Sequence, residues 1–188
     1  VKCWGYNNRG MLGLGDTTTR GDGSNEMGDY LPFVDVAGTS GLTVTSIFSG
    51  HYHNCVIFDD NSIKCWGYNN MGMLGLDDTS NRGDGASEMG DNLPFVDVGT
   101  GLSVLSGCAG YYHTCAILDD YTVKCWGDSS QGQLGNGATT TWGNNAGDMG
   151  DSLPTTDVGT DLTAETLYCG KHYTCAVLND DSMKCWGD

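Results

Sequence analysis

Residues 110–127 read GYYHTCAILDDYTVKCWG, and the pattern in this stretch predicts the structural unit from which the chain is built. Apolar and polar side chains alternate on both sides of the two aspartates in its middle. Such alternation around an acidic turn is typical of two antiparallel strands joined as a hairpin. Closely similar stretches stand at residues 50–67 and 170–187, and the final KCWG also occurs at residues 2–5. The chain therefore repeats one supersecondary unit.

The four KCWG motifs begin about 60 residues apart, which gives three tandem repeats at approximately 3–64, 65–124 and 125–184. A fixed period of this kind is typical of solenoids and propellers. We find no capped segment with a 3.6-residue period, and glycine punctuates roughly four short strands per repeat. The pattern predicts an all-β fold of tandem four-stranded antiparallel blades, as a β-propeller or a propeller-like repeat array. We expect the chain to be a segment of a longer propeller or repeat protein.

The net charge of the chain limits the classes of partner that it can bind. Among 188 residues, 8 are Lys or Arg and 24 are Asp or Glu, which gives a net charge of −16. Such an acidic chain repels phosphate backbones and anionic lipids, so we expect no nucleic acid and no membrane surface as partners. No apolar run approaches the ~18 residues of a spanning helix, so no membrane span is expected. Proteins, including further repeats or copies of this chain, are the expected partners.

The repeated motifs resemble those of the regulator of chromosome condensation repeat family. The resemblance rests on G-x-x-H-T-C-A-I-L-D-D from Gly110, on the V-K-C-W-G strand and on the G-Q-L-G turn at Gly132, and it covers nearly the whole chain except inserted loops. It implies a β-propeller, usually of seven blades of about 50 residues. Nuclear members of that family act as exchange factors for a small GTPase and bind chromatin. A secreted inhibitor of β-lactamases has the same fold and is a nearer analogue in compartment. The cysteines indicate a secreted variant.

Cysteine spacing predicts disulfides. Of nine cysteines, six form three pairs that flank a hairpin turn at equal distance: Cys55/Cys65, Cys115/Cys125 and Cys175/Cys185. Opposed residues on antiparallel strands approach closely enough for a disulfide, although reduced core cysteines are the alternative. Zinc fits less well, because no C-x2-C pair is present. Disulfides place the protein outside the cell or in an oxidising lumen.

Three cysteines remain after this pairing. Cys3 occupies the second position of a hairpin pair and is expected to be unpaired or intermolecular. Cys108 and Cys169 are interpreted as equivalent positions of consecutive repeats, with Ser49 in the first. A direct bridge between neighbouring blades and separate partners for the two both remain open.

The glycine-rich loops at 13–31, 75–93 and 135–153 are candidate cation sites. Each repeat keeps three oxygen-bearing side chains at the same spacing: Asp22, Glu26 and Asp29, then Asp84, Glu88 and Asp91, then Asn144, Asp148 and Asp151. Calcium takes six to eight oxygen ligands, which predicts calcium as the one possible cofactor. The alternative is turn chemistry, in which these side chains accept hydrogen bonds from backbone amides.

Other loop and strand residues suggest weaker sites. The tripeptide Arg-Gly-Asp at 20–22 and 82–84 suggests adhesion, and the threonines at 17–19 and 139–141 suggest O-linked glycans. The tryptophan of each KCWG motif suggests blade packing rather than sugar stacking. Tyr52, Tyr111 and Tyr112 lie near the expected inner strands and suggest either packing or the lining of a channel.

No arrangement of residues predicts an enzyme. The histidines have no recurrent nucleophile or acid at fixed spacing, and the paired aspartates Asp59/Asp60 and Asp119/Asp120 belong to turns. We expect a non-enzymatic extracellular structural or interaction protein, as a subunit of a larger assembly or filament. The alternative is a soluble secreted propeller, inhibitor-like or lectin-like, that recognises a protein or glycan through its loops. An exchange factor is the least favoured hypothesis.

Overall fold

Ten β-strands and three single-turn 3₁₀ helices make up the computed structural model, which describes residues 1–188. The strands are β1 (Val44–Ser49), β2 (His53–Phe58), β3 (Ile63–Gly67), β4 (Val104–Ala109), β5 (His113–Leu118), β6 (Val123–Gly127), β7 (Thr155–Thr156), β8 (Ala164–Cys169), β9 (Tyr173–Leu178) and β10 (Met183–Gly187). The 3₁₀ helices are Gly28–Tyr30, Gly90–Asn92 and Gly150–Ser152. No helical segment has the length and apolarity that crossing a bilayer requires. The prediction of an all-β repeat fold is confirmed.

The strands form three antiparallel sheets, ordered β1-β2-β3, β4-β5-β6-β7 and β10-β9-β8. In each sheet the acidic turn joins the second and third strands, as the hairpin pattern predicted. One residue of each turn has a positive φ of 64 or 65°: Asn61, Tyr121 and Asp181. Asn and Asp tolerate this left-handed region, whereas Tyr121 is held there by the repeat geometry.

The fourth strand is shorter than predicted. Only the middle sheet has one, the two-residue β7, which follows Pro154. In the first sheet the corresponding segment contributes one backbone hydrogen bond, from Val96 N to Ile63 O at 2.9 Å. Pro94 precedes that segment, and proline has no N–H for the ladder, which limits pairing at this edge. A blade therefore takes three strands from a hairpin unit and its outer segment from beyond the following long loop.

Neighbouring blades pack through the KCWG strand and the glycine turn. The indole of Trp126 is fully buried, and its Nε1 donates to the carbonyl oxygen of Met73 at 3.0 Å. Gly75 in that turn has a φ of +69°, and a Cβ there would lie 2.8 Å from the same Nε1. Trp66 makes the equivalent bond to Met11 at 3.0 Å. The recurring Trp and Gly therefore fasten each blade to the one before it.

Candidate functional site

The hairpin cysteines are bonded in pairs. Disulfides join Cys55 to Cys65, Cys115 to Cys125 and Cys175 to Cys185, with Cα–Cα distances of 4.1, 4.1 and 4.0 Å. Each pair occupies directly opposed positions in the strand register. The disulfide bonding that the spacing predicted is therefore present in every hairpin.

A fourth disulfide, here called the interblade disulfide, joins Cys108 on β4 to Cys169 on β8 over a Cα–Cα distance of 5.5 Å. The interpretation of these two cysteines as equivalent positions is wrong. Cys108 lies opposite Cys115, whereas Cys169 lies opposite Thr174, one position further along its strand. Only Cys169 corresponds to Ser49. Side chains alternate between the faces of a strand, so this one-residue offset aims the two thiols at each other across facing blades.

The remaining cysteine lies at an open edge. Cys3 is free and half-buried, and burial raises the pKa of its thiol. Beside it a groove of about 470 Å³ runs between residues 2–12 and residues 47–54. Trp4 is 62% exposed in this groove, whereas Trp66 and Trp126 at the same position of later repeats are fully buried. In those repeats β2 pairs with the strand that carries Trp66, and β5 pairs with the strand that carries Trp126. No strand pairs with the residues around Trp4 on the corresponding side.

Two histidines form relays between neighbouring blades. His53 Nε2 lies 2.7 Å from Thr114 Oγ1, which donates its hydrogen to the carbonyl oxygen of Met73. The hydroxyl must then accept from the imidazole, so Nε2 carries the proton of a neutral ring. Burial, with repulsion from His113, lowers the pKa of His53 to about 3. Burial likewise lowers the pKa of His113 to about 4, and this ring contacts Thr174 Oγ1 at 3.0 Å.

Neither relay has the properties of a catalytic pair. Both imidazoles are at most 1% exposed, and each threonine hydroxyl is committed to a carbonyl oxygen as a donor. A base that is buried away from solvent cannot reach a substrate proton. The relays therefore hold blades together.

Aromatic side chains gather at the end of the sheets where the β1–β2 and β4–β5 turns lie. We call this surface the aromatic face, and it consists of His51, Tyr52, Tyr68, Tyr111, Tyr112 and His172, flanked by Arg9 and Lys171. His51 stacks on Tyr111 with ring centroids 4.2 Å apart, and the hydroxyl oxygens of Tyr52 and Tyr111 are 3.3 Å apart. The sequence suggested that Tyr52, Tyr111 and Tyr112 pack or line a channel, and the three rings do contact one another. It did not predict their convergence with His51, Tyr68 and the two cations.

Most of the loop side chains considered for calcium make contacts within the fold. Glu26 Oε2 accepts from the backbone amides of Gly21, Asp22 and Gly23, and these bonds lower the pKa of the Glu26 carboxyl. Glu88 and Asp148 accept from backbone amides of their own loops in the same way. This is the turn chemistry that was the alternative to a cation site.

In the second and third sets, the last carboxylate acts between blades. Asp151 accepts from the amide and the hydroxyl of Thr100 at 2.7 and 2.8 Å, and Asp91 accepts likewise from Thr39 at 2.7 and 2.9 Å. Asp29, at the same position of the first repeat, has no such partner. Of the remaining members, Asp84 accepts from Asn81, Asn144 accepts from Asn145, and Asp22 accepts no side-chain or backbone hydrogen bond.

One compact group of metal-ligating side chains lies elsewhere. His113, Cys115 and Cys169 have ligand atoms within 4.8 Å of one another. Both cysteines are in disulfides, so neither offers the thiolate that binds zinc. Calcium in the loops stays a prediction.

The Arg-Gly-Asp tripeptides are tied into their loops. Arg20 and Arg82 pair with Asp16 at 2.7 Å and Asp78 at 2.6 Å, four residues earlier. The third repeat has Ala138 where those aspartates stand and has lost the arginine as well. The loss of both residues in one repeat is a sequence signal that the arginine and the earlier aspartate pair with each other. The resemblance to an adhesion tripeptide drew attention to the later aspartate instead.

Sequence comparisons give one consistent family. Models of the Regulator of chromosome condensation (RCC1) repeat match residues 3–57 in one case, and residues 44–72 and 104–133 in another. Together they cover more than half of the chain. The chain is 28% identical over 142 residues to the ultraviolet-B receptor UVR8 of Arabidopsis thaliana, covering 74% of this chain and 28% of the receptor. It is 30% identical over 141 residues to human HERC4, a probable E3 ubiquitin-protein ligase, of which it covers 12%.

Solved structures share the fold at low sequence identity. Prp20p of Saccharomyces cerevisiae, described with its binding to Gsp1p and histones, superposes with a TM-score of 0.68 at 16% identity. That match covers 99% of this chain and 40% of Prp20p. Human WBSCR16 superposes with a TM-score of 0.67 at 16% identity, over 98% of this chain and 41% of that protein. The chain thus spans well under half the length of each of these relatives.

Proposed function

The chain belongs to the regulator of chromosome condensation (RCC1) repeat family of β-propellers, and from this premise we propose that it is a non-catalytic extracellular interaction protein. Its blades join further repeats of the same kind in a larger assembly. Protein binding is a plausible role for this family, since Prp20p binds Gsp1p and histones. The particular partner proposed here rests on the chain's own open surface.

The groove beside Cys3 carries the proposal. It leaves Trp4 62% exposed, although the fold buries the tryptophan completely at two equivalent positions. Ile47, on the opposite wall, is 46% exposed. Covering a large aromatic side chain stabilises an interface by roughly 2–4 kcal/mol, which makes this apolar surface costly to leave in water.

The residues that line the groove also indicate which kind of segment would fill it. At the two later blade junctions, a histidine of one blade bonds to a threonine of the next: His53 to Thr114 and His113 to Thr174. Thr114 follows His113 and Thr174 follows Tyr173, which stands at the histidine position of the third repeat. Asn54 occupies that position at the groove, and its Nδ2 already donates to Met11 O at 2.7 Å. Its Oδ1 accepts no hydrogen bond within the chain and can accept one from an incoming donor. The occupant that fits is the first and second strands of a hairpin unit of the same type, with a histidine for Asn54 and a cysteine for Cys3, because residues 2–5 already carry the KCWG motif of that unit.

The disulfides support an extracellular setting. Eight of the nine cysteines are oxidised, and one of the bonds joins two blades. Structural disulfides of this density form and persist in oxidising compartments. In such a compartment Cys3 and a matching cysteine of the occupant would form a fifth staple.

The test is disulfide mapping of the native material. The protein is alkylated before extraction, digested without reduction and analysed by mass spectrometry, with the oxidised hairpins serving as internal controls. The proposal expects Cys3 joined to a cysteine ten residues before a KCWG cysteine. A Cys3 that carries the alkylating label, together with particles of the mass of a single chain, would contradict it. Electron microscopy of the same sample separates filaments from closed rings.

A second candidate function has one observation in its favour. The aromatic face suits the inhibitor-like form of the alternative, a soluble secreted propeller that binds a protein; its covered rings suit the lectin-like form less. Guanine-nucleotide exchange has only the shared fold behind it, since Prp20p is 16% identical to this chain.

A further inference from the structure

Nearly all cations of this acidic chain are used inside the fold. Four lysines, one per KCWG motif, donate to backbone carbonyl oxygens, and both loop arginines pair with aspartates: Lys2, Lys64, Lys124, Lys184, Arg20 and Arg82. The two cations that remain are Arg9 and Lys171. Neither makes an ion pair or a hydrogen bond, and both lie at the aromatic face.

These two cations mark the ends of a row of tyrosines. The Arg9 guanidinium lies 5.3 Å from the ring centroid of Tyr68, and the Lys171 ammonium lies 5.1 Å from that of Tyr111. Between them Tyr52 lies 5.8 Å from Tyr68 and 5.1 Å from Tyr111. Placed end to end, four such steps span at most about six residues of extended peptide.

The rings of this row offer edges and hydroxyls rather than bare faces. Tyr111 has His51 stacked on it and Lys171 over it, and Tyr52 stacks with Tyr112 at 5.5 Å. Four further contacts of Tyr52 and Tyr111 are edge-on, with interplanar angles of 78–87°, and Tyr111 meets His172 at a tilted 46°. Ring edges carry partial positive charge, and phenolic hydroxyls donate hydrogen bonds. Carboxylates match this surface, whereas a sugar ring needs an uncovered aromatic face on which to stack.

We propose that the aromatic face binds an acidic, extended peptide segment of a partner protein. Glutamate or aspartate side chains of that segment pair with Arg9 and Lys171 and accept from the tyrosine hydroxyls between them. Tyr and Arg are enriched in protein interfaces. A depression of about 510 Å³, lined in part by His51, Tyr111 and Lys171, gives the Lys171 end of the segment a seat.

The acidity of the whole chain does not cancel this local attraction. Asp128, which stands where Tyr68 stands in the preceding repeat, keeps its negative charge, and burial together with that charge raises the pKa of Tyr112. Its carboxylate is buried and held by three hydrogen bonds from Ser130 and Gln133, so it does not contact the bound segment. More distant carboxylates are screened, because the Debye length is about 8 Å at 0.15 M ionic strength. Contact groups therefore decide the binding.

The test is fluorescence anisotropy with a labelled hexapeptide of alternating Glu and Gly, compared with the same peptide carrying Gln for Glu. We expect saturable binding of the Glu peptide and at least tenfold weaker binding of the Gln peptide. R9Q and K171Q should each weaken binding about threefold, as exposed charge pairs do. Y111F, which removes only a hydroxyl, should weaken it as well. R20Q is the matched control, since it removes one positive charge away from the aromatic face.

Several outcomes would overturn the proposal. They are equal binding of the two peptides, an R20Q effect as large as that of K171Q, and no binding at 1 mM peptide. Tighter binding of an oligogalacturonate of equal charge would assign the aromatic face to glycans instead. None of the four substituted side chains lines the Cys3 groove, which shares only His51 and Tyr52 with the aromatic face, so these results test the aromatic face and not the open blade edge.

Discussion

Acidification from pH 7 to pH 5 should destabilise this protein through its two interblade histidines. His53 and His113 are buried as neutral rings, with pKa values lowered by burial to about 3 and about 4. In the unfolded chain a histidine titrates near pH 6.5. The contribution of these neutral rings to the free energy of unfolding is therefore fully present above about pH 6.5. It is lost as the pH falls toward the folded-state pKa values, because the unfolded chain takes up the protons first.

The size of the effect at pH 5 depends little on the folded-state values. pH 5 lies about 1.5 units below the unfolded pKa and above both folded ones. At 1.36 kcal/mol per unit, each histidine costs about 2 kcal/mol of unfolding free energy, and the two together cost about 4 kcal/mol. Carboxyl groups whose pKa values hydrogen bonds lower titrate near or below pH 4.5 even when unfolded and add little in this window: Glu26, Asp60, Asp91, Asp119, Asp151 and Asp180.

The assay is urea unfolding followed by tryptophan fluorescence at pH 7, 6 and 5, with all disulfides intact. A loss of about 4 kcal/mol moves the midpoint by roughly 2 M at an ordinary urea m-value. The double variant His53→Gln/His113→Gln should be less stable at pH 7 but should lose most of its dependence on pH. His51→Gln is the matched control, since that ring is exposed to water in both states. A wild-type midpoint that does not change between pH 7 and 5, or equal effects of the control and the buried pair, would refute the reasoning.

Further predictions concern the contacts between blades. Replacing both cysteines of the interblade disulfide by serine should lower the unfolding free energy by about 4 kcal/mol, against about 3 for a hairpin pair, because 61 residues separate its cysteines rather than 10. Trp126→Ala should cost about 3–5 kcal/mol in urea unfolding, whereas Trp4→Ala in the chain alone, with the Cys3 groove unfilled, should change stability by less than about 0.5. Asp151→Ala should lower the thermal midpoint, and Asp29→Ala should not, since only Asp151 accepts bonds from a neighbouring blade. If the acidic loops hold calcium, EGTA should speed their proteolysis; equal digestion with and without EGTA would reject calcium.

The hairpin units were predictable because their information is local. Strand alternation and an acidic turn within 18 residues specify the register, and that register in turn places Cys115 opposite Cys125. The KCWG repeat added the period, and the period indicated the architecture. Each of these steps compares residues that are near in sequence or that stand at the same position of each copy.

Contacts between different positions of neighbouring blades were beyond that comparison. Cys108 bonds to Cys169, although the two cysteines differ by one position in the alignment of their repeats. Treating them as equivalent positions concealed this offset. The bonds from Asp151 to Thr100 and from His53 to Thr114 likewise join positions that do not correspond in the repeat. Such pairs become visible only when the angle between blades is known, because that angle decides which face of one strand meets which face of the next.

The comparison of repeats also separates structural from functional positions. Every repeat keeps the lysine and tryptophan of its KCWG motif, and these residues hold blade to blade. Positions at the aromatic face differ instead: His51 becomes Tyr111 and then Lys171, and Arg9 becomes Met71 and then Gln131. Both unpaired cations thus occur once in three copies. Stability that rests on repeated contacts tolerates such differences at exposed positions, so a single-copy binding surface can form there without disturbing the fold. Substitutions at repeated positions should therefore act on unfolding, and substitutions at the aromatic face should act on binding.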